Sequence, residues 1–229
     1  MPIRILSSLI NAAAILLGGG IGLLAKGRIS ARISENIARA LGLCVCIIGV
    51  SGALKGDIML MVVSMALGTL TGEFIDIDGW LNKLGAFMQK KLSRNENSMF
   101  AEGFVTATLL FCVGAMAVVG SIDSGLRHDH SVIFTKSMLD GVSAMAFSSC
   151  FGIGVLLSAL PVLIYQGSIE FFAGYLTNVL TNDLITQIAA VGSVMILGIG
   201  FNMALNAKIK VANFLPGLIF AVGYFYLFL

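Results

Sequence analysis

Charged side chains are scarce in this chain: they make up 11% of its 229 residues, whereas apolar residues make up 58%. From Gly141 to the C-terminus the charged residues are Glu170, Asp183, Lys208 and Lys210 alone. A water-soluble globule of this size needs far more polar surface, so the composition excludes one. The mean hydropathy of +0.98 instead indicates an all-α, polytopic transmembrane helix bundle whose surroundings are the lipid bilayer.

Several motif classes are missing from the sequence as well. The four cysteines form no C-x-x-C pair, and His128 and His130 flank Asp129 in a short loop where exposure to solvent is expected. We therefore expect neither a metal site nor a cofactor. No nucleophile elbow, Walker loop or H-E-x-x-H motif occurs, which argues against an enzyme. The net charge of +2 comes from loop residues that membrane topology explains, so no nucleic-acid partner is expected.

Hydrophobic runs predict about eight spans in a single integral membrane domain over residues 1–229. We expect simple spans at 5–25, 37–54, 58–72, 103–119, 184–205 and 211–229. The stretch at 132–165 is too long for one straight crossing and the stretch at 169–180 is too short. We expect broken or re-entrant segments there. The alternative is one strongly tilted helix followed by a short, imperfectly matched one.

The only extended polar segment predicts an amphipathic linker at 73–102. Its apolar residues recur at helical spacing: Trp80, Leu81, Leu84, Phe87 and Met88. Basic residues cluster in this linker and after the first span, whereas the polar loop expected at 121–131 holds one arginine. Because positive loops stay in the cytoplasm, the linker is predicted to be cytoplasmic, and the loop and both termini external.

Lys136 and Asp140 are the most informative polar residues, because residues four apart share a helix face and can pair. One unpaired charge at membrane depth costs roughly 2.5–3.5 kcal/mol, which pairing reduces. The alternative is that this pair merely anchors a helix near the external surface.

The other candidates are weaker. Glu73 ends the third span, where an acidic residue is usually interfacial. Asn11, Gln166 and Asn213 lie in or beside apolar runs, where each can hydrogen-bond another helix for about 0.6–2 kcal/mol. Structural hydrogen bonds between helices are the alternative to a role in binding a substrate.

Long glycine-studded runs carry a family resemblance. These runs are EGFVTATLLFCVGAMAVVGSIDSGL, KSMLDGVSAMAFSSCFGIGVLLSALPVLIYQG and KIKVANFLPGL, with NAAAILLGGGIGLL and GTLTGE. Over nearly its whole length the chain resembles the bacterial inner-membrane family called domain of unknown function 554. The resemblance implies a multi-pass protein of the bacterial cytoplasmic membrane, in a family without an established substrate whose members are in places labelled sodium channels or pumps. The polar positions that match the family are Asn11, Glu73, Ser121, Lys136, Asp140, Gln166 and Asn213.

Two hypotheses of function follow. The first is a secondary transporter or channel for a small ion or polar solute. Its site would be formed by broken helices around Lys136 and Asp140, with backbone carbonyls near Gly120, Gly141 and Gly152. The second is a non-transporting scaffold or sensor subunit that binds a protein partner through residues 73–102. A homodimer is expected, because the glycine-rich first and fourth spans offer close-packing surfaces.

Overall fold

The computed structural model describes residues 5–26, 31–80, 83, 100–112, 115–176 and 180–228. Those residues are helical apart from short turns and contain no strand, as lipid requires of a backbone that must satisfy its own hydrogen bonds. The helices are α1 (Leu6–Lys26), α2 (Ala31–Ala53), α3 (Ile58–Ile75), α4 (Phe100–Cys112), α5 (Ala115–Arg127), α6 (Ser131–Phe151), α7 (Gly154–Leu157), α8 (Ala159–Leu176), α9 (Asn182–Leu205), a 3-10 helix (Val211–Phe214) and α10 (Pro216–Phe228).

In the described part of the chain, six helical segments are long and apolar enough to cross a membrane. They are α1, α2, α3, α7 with α8, α9, and the 3-10 helix with α10. The bent pair α4 and α5 makes a seventh if it forms one crossing. Helix α6 has 21 residues and is about 31 Å long, although its charged pair and its serines lower its hydropathy. Counting α6 gives the expected number of about eight.

The chain divides into two compact units, each made of two separate stretches of sequence. The first comprises Met1–Glu35 and Gly85–Thr181, and the second comprises Asn36–Leu84 and Asn182–Leu229. In the first unit α1 packs most extensively against α6, and α5 packs against α8. In the second unit α3 packs most extensively against α10. Each unit therefore brings together helices from both halves of the sequence.

Glycines set the closest helix contact in the first unit. A Cβ atom at Gly18 of α1 would overlap the backbone oxygen of Gly141 in α6, and one at Gly22 would overlap that of Met145. Small residues at this spacing allow two backbones to touch, which is how helices associate in lipid. The long α1–α6 contact therefore depends on residues that have no side chain.

Contacts at both ends of α1 show that α6 traverses the whole first unit. Near the start of α1, Ser7 Oγ lies 2.7 Å from Nδ1 of His130, the residue before α6. At the other end, the ammonium of Lys26 lies beside Gly152, the residue after α6. Helices α1 and α6 are therefore parallel and connect the same two ends of the unit.

The interruption between 132 and 181 differs from the expected one. Helix α6 ends at Phe151, and the next candidate span is Gly154–Leu176. The break is at Gly152, whose φ of 85° favours glycine. Pro161 lies in the first turn of α8, where a missing N–H costs no helical hydrogen bond. The expected interruption inside 132–165 is present at Gly152, whereas the expected separate short segment at 169–180 is wrong, because Gly154–Leu176 forms one segment of ordinary length.

The bend lies instead where a simple fourth span was expected at 103–119. The axes of Phe100–Cys112 and Met116–Arg127 differ by 56°. Because α5 continues to Arg127, the polar loop expected at 121–131 is helical except at residues 128–130. That extension buries Ser121 and Ser124.

Part of the 73–102 linker can be compared with its prediction. Helix α3 ends at Asp76, which has a left-handed φ of 53°, and residues 77–80 are helical with Trp80 exposed. Leu81, Leu84, Phe87 and Met88 lie outside the described residues. The amphipathic helix therefore stays a prediction.

Candidate functional site

Three helices of the first unit each carry two polar residues spaced four apart. The pairs are Ser7 and Asn11 on α1, Lys136 and Asp140 on α6, and Gln166 and Glu170 on α8. That spacing places both members of a pair on one helix face. All six residues are buried, including the ionisable ones: the exposed fraction is 6% for Lys136, 7% for Asp140 and 3% for Glu170. The three faces meet inside the unit and form two adjacent clusters.

The inner cluster consists of Asn11, Lys136, Asp140 and Gln166. The Lys136 ammonium donates to Oδ2 of Asp140. Asn11 Nδ2 donates to the same Asp140 oxygen at 3.0 Å and to Gln166 Oε1 at 2.9 Å. Two buried atoms of the cluster, Asn11 Oδ1 and Gln166 Nε2, have no hydrogen-bond partner among the residues that the structure describes. A buried polar atom without a hydrogen bond destabilises the folded protein by about 1–3 kcal/mol. A polar species bound in the cluster would remove this penalty by hydrogen bonding to these atoms.

Asp140 lies deep in the bundle. It is the tenth residue of α6, about 14 Å from the start of a helix about 31 Å long. The Lys136–Asp140 pair is buried among helices and does not extend into bulk solvent. This placement favours the intramembrane interpretation of the pair over a surface anchor.

The outer cluster consists of Ser7, Ser8, Ser124, His130 and Glu170. Glu170 Oε2 accepts hydrogen bonds from Ser8 Oγ at 2.6 Å and from Ser8 N at 3.2 Å. Glu170 Oε1 accepts from the Ser124 hydroxyl. Ser8 lies in the first turn of α1, where backbone N–H groups lack helical partners and the helix dipole is positive. The carboxylate of α8 thus caps α1.

His130 connects this buried carboxylate with the turn at residues 128–130. Its Nδ1 atom lies 2.8 Å from Ser124 Oγ and 2.7 Å from Ser7 Oγ. The imidazole is half-buried, whereas His128 and Asp129 beside it are exposed. The Asp129 carboxylate accepts hydrogen bonds from the side chain and backbone of Ser131, which lower its pKa. The outer cluster therefore reaches from a solvent-facing turn to a buried acid.

The two clusters are unequal in charge. Lys136 balances Asp140, whereas the hydrogen bonds to Glu170 within the described residues come from neutral groups. If all three groups are ionised, one negative charge is in excess. A buried excess charge is costly, so a proton or a monovalent cation is the species that this arrangement favours. A group of three or more His, Cys, Asp or Glu residues suited to a metal ion is absent from the described residues.

Broken helices contribute to the site less than expected. Lys136 and Asp140 lie in an uninterrupted helix, and Gly120 and Gly141 lie inside α5 and α6. The expectation that helix breaks at these positions form the site is wrong, and only Gly152 marks a break. One bent segment does adjoin the inner cluster, because Cys112 at the end of α4 lies close enough to interact electrostatically with both Lys136 and Asp140.

Glu73 and Asn213 meet in the second unit. Asn213 Nδ2 donates to Glu73 Oε1 at 2.8 Å, and the backbone N–H of Asp78 donates to Asn213 Oδ1 at 2.7 Å. Lys210 Nζ lies 3.5 Å from Glu73 Oε2, and both of these side chains are half exposed. The buried Asn213 therefore fastens the 3-10 helix to the end of α3.

Ser121 contacts none of the other candidates through its hydroxyl, which donates to the carbonyl of Ala117 in its own helix at 2.7 Å. Of the seven predicted site residues, the structure thus brings four together in the inner cluster and two in the second unit. Sequence reasoning missed the outer cluster, and it expected His130 in solvent. The available signal was the spacing of Glu170, four residues after Gln166. Ser124 gave no signal, because its burial depends on α5 continuing past residue 121.

The chain has relatives along almost its full length. The family model described as "Protein of unknown function (DUF554)" matches residues 6–226. The chain is 31% identical over 218 residues to "Uncharacterized membrane protein YdfK" of Bacillus subtilis (strain 168), with 93% of this chain and 92% of that protein covered. It is 30% identical over 223 residues to "Uncharacterized protein YqgA" of Escherichia coli (strain K12), with 95% of each covered. No solved structure matches it. With its several apolar helices, the chain is a multi-pass membrane protein that belongs to the DUF554 family.

Proposed function

We propose that the protein moves a small cation across the membrane, as a secondary transporter or channel, through the first unit. The observation that carries this proposal is the charge of the buried network, where two carboxyl groups accompany one ammonium. A neutral or anionic solute leaves that imbalance uncorrected, whereas a monovalent cation removes it. Cation transport therefore agrees best with the site.

The inner cluster supplies the groups that such a cation needs. Oxygen atoms of Asp140, Asn11 and Gln166 lie within one hydrogen-bonded set, and hard cations prefer oxygen ligands. Without a cation, the Lys136 ammonium pairs with Asp140. An entering cation takes over this role, and Lys136 withdraws from the carboxylate. The unpaired Asn11 Oδ1 gains a partner at the same time.

Flux into proteoliposomes tests the proposal. Purified protein is reconstituted, and uptake of H⁺, Na⁺ and K⁺ is followed with ion-sensitive dyes under an imposed gradient. We expect uptake of at least one cation by the wild type and its loss in Asp140→Asn. The matched control is Asp123→Asn, since Asp123 also pairs with a basic residue four positions on, Arg127, at 3.3 Å, but at a site where Arg127 is exposed. An Asp140→Asn protein that transports at the wild-type rate contradicts the mechanism.

The alternative function is a scaffold or sensor subunit that binds a protein partner through residues 73–102. The structure describes only residues 73–80, 83 and 100–102 of this segment, so the alternative depends on its sequence. Proteoliposomes that take up none of the three cations above the protein-free background would favour the scaffold.

Assembly as a homodimer is proposed with the transport function. The exposed surface of the helices is largely apolar, with large side chains such as Leu17, Ile47 and Phe74 facing outward. Light scattering of the purified protein in mild detergent measures the mass of the assembly. A monomeric mass at all protein concentrations contradicts the dimer.

A further inference from the structure

We propose that His130, Ser124 and Glu170 form a proton-transfer chain that loads Glu170 from the solution bathing the 128–130 turn. This inference deepens the proposed function, on which it rests for its role in transport, and it identifies the proton as the coupling ion. The chain itself rests on hydrogen-bond geometry. Nδ1 of His130 lies 2.8 Å from Ser124 Oγ, and Ser124 in turn is hydrogen-bonded to Glu170 Oε1.

The donors and acceptors of this chain allow two arrangements. An ionised Glu170 only accepts hydrogen bonds, so Ser124 must donate its single proton to it. The Ser124 oxygen can then accept from Nδ1–H of His130 or from the Ser7 hydroxyl 2.8 Å away, and the relay uses the arrangement in which Nδ1 carries the proton. If Glu170 is protonated instead, its O–H donates to Ser124, and Ser124 donates to a bare Nδ1. Both arrangements satisfy the same three atoms at the same positions.

These two arrangements are the start and the end of one proton transfer. The Nδ1–H bond of His130 breaks as its proton moves to Ser124 Oγ, while the Ser124 proton moves to Glu170 Oε1. The imidazolium becomes neutral imidazole, which keeps its proton on Nε2, and the carboxylate becomes a carboxylic acid. No atom other than the two protons needs to move. The Ser124 hydroxyl then turns from Nδ1 toward Ser7 Oγ, 2.8 Å away, and a proton taken up from solution binds to Nδ1 and restores the imidazolium.

The surroundings stabilise both ends of the transfer. The Ser8 hydroxyl and N–H at the start of α1 stabilise the Glu170 carboxylate. On the other side, the Asp129 carboxylate lies next to His130 in the turn and interacts electrostatically with it. From α6, the Lys136–Asp140 pair reaches α8 through Asn11 and Gln166, one helical turn before Glu170. The ammonium of that pair offsets the Asp140 charge, so the pair adds little net field.

Proton loading is coupled to cation binding by the charge balance. When His130 is charged, the two positive groups Lys136 and His130 match the two negative groups Asp140 and Glu170. The network lacks one positive charge while His130 is neutral and Glu170 is ionised, and either a proton on Glu170 or a cation at Asp140 then corrects it. Because either one suffices, the two compete. The expected coupling is therefore an exchange, in which loading of the proton expels the cation.

Infrared difference spectroscopy on the full chain in lipid nanodiscs tests the relay without measuring transport. A pH jump from a caged proton source is applied, and the carbonyl stretch of the protonated Glu170 is assigned by its absence in Glu170→Gln. In Ser124→Ala this band should rise on the order of 100-fold more slowly, which is the lower end of what a positioned proton-transfer group contributes. Ser124→Thr, which keeps a hydroxyl, should restore the rate.

The control is Ser121→Ala, which lies one turn earlier on the same face of α5 and removes a buried hydroxyl bonded only to its own helix. Its rate should equal that of the wild type. His130→Asn at the turn supplies a second variant that should slow the band, even if Ser124→Ala does not fold. A wild-type rate in both Ser124→Ala and His130→Asn overturns the relay, as does the lack of any Glu170 band in the folded protein. If the band responds as expected but the vesicles take up no cation, the transport function fails and the relay stands.

Discussion

The backbone N–H of Ser8 in α1 donates to the carboxylate of Glu170 in α8 at 3.2 Å, across 162 positions of sequence. The Ser8 hydroxyl donates to the same oxygen at 2.6 Å. An acid from one helix thereby satisfies the free N-terminal groups of another, at a position that is 3% exposed. Glu170 is therefore a structural cap as well as the proposed proton site.

Replacement of Glu170 should separate these two roles. Glu170→Leu leaves the Ser8 donors buried without an acceptor, and we expect a loss of about 1–3 kcal/mol in the free energy of unfolding. Glu170→Gln keeps an acceptor oxygen and should lose less. Denaturant unfolding in detergent micelles, followed by circular dichroism, measures both. Equal stability of Glu170→Leu and the wild type would show that the cap contributes nothing.

The Lys136–Asp140 pair should be dispensable for folding when both charges are removed together. Asp140→Leu alone leaves a buried ammonium without its partner and should cost about 3–5 kcal/mol. The double variant Lys136→Met with Asp140→Leu should recover most of that loss, because apolar replacement of a buried pair is close to neutral. Unfolding curves of the three proteins measure the stability, and flux assays should find both variants inactive. A double variant as unstable as the single one would contradict this account.

The close contact between α1 and α6 predicts different effects on stability for substitutions at two glycines of α1, Gly18 and Gly20. Gly18→Ala places a methyl group against the backbone of Gly141, so we expect a cost of about 1–3 kcal/mol from overpacking. Gly20→Ala is the matched control, because nothing lies within 4 Å of a Cβ atom there. It should be neutral or stabilising by up to about 1 kcal/mol through helix propensity. Thermal unfolding in one detergent compares the pair, and similar midpoints would exclude the close contact.

Replacement of Asn213 tests whether the transport site involves residues of the first unit alone or residues of the second unit as well. Asn213→Ala removes the side chain that accepts from the N–H of Asp78 and donates to Oε1 of Glu73, so stability should fall by about 1–3 kcal/mol. Cation flux per folded molecule should stay at the wild-type level, unlike in Asp140→Asn. Flux normalised to the folded fraction measures this. Loss of flux equal to that of Asp140→Asn would place Asn213 in the transport pathway.

Labelling of introduced cysteines tests the predicted orientation. In a variant without Cys44, Cys46, Cys112 and Cys150, which form no disulfide in the part of the chain that the structure describes, His128→Cys should react with a membrane-impermeant maleimide on intact cells. Lys208→Cys should react only after the cells are permeabilised, because its basic loop is predicted to be cytoplasmic. Both positions are exposed. Reaction of both thiols on intact cells would contradict the eight-span topology.

Hydropathy predicted most of the fold because each span must bury its own backbone in lipid, which leaves long apolar runs in the sequence. The spans expected at 5–25 and 184–205 differ by a residue or two from α1 and α9. Hydropathy did not predict where the helices are interrupted, because an interruption depends on backbone dihedral angles. The break at Gly152 and the bend after Cys112 lie inside apolar runs. The sequence has 27 glycines, and hydropathy does not indicate at which of them a helix ends.

The candidate site was predicted in part for a similar reason. Lys136 and Asp140 reveal their pairing by local spacing, because helix geometry alone relates residues four apart. The partnership of Asn11 with both Asp140 and Gln166 joins three helices. Such a contact depends on how the helices pack, and a pattern of neighbouring residues in the sequence cannot predict it.

The amino-acid sequence alone determined that this chain is a membrane protein, that it has roughly eight apolar segments and which few ionisable groups it retains among them, because these follow from transfer free energies that add residue by residue. Only the tertiary structure decided that Glu170 caps α1, that His130 and Ser124 reach it, and that Glu73 and Asn213 meet within the second unit. Those outcomes depend on which helix faces meet, and that choice is made by the packing of the whole unit.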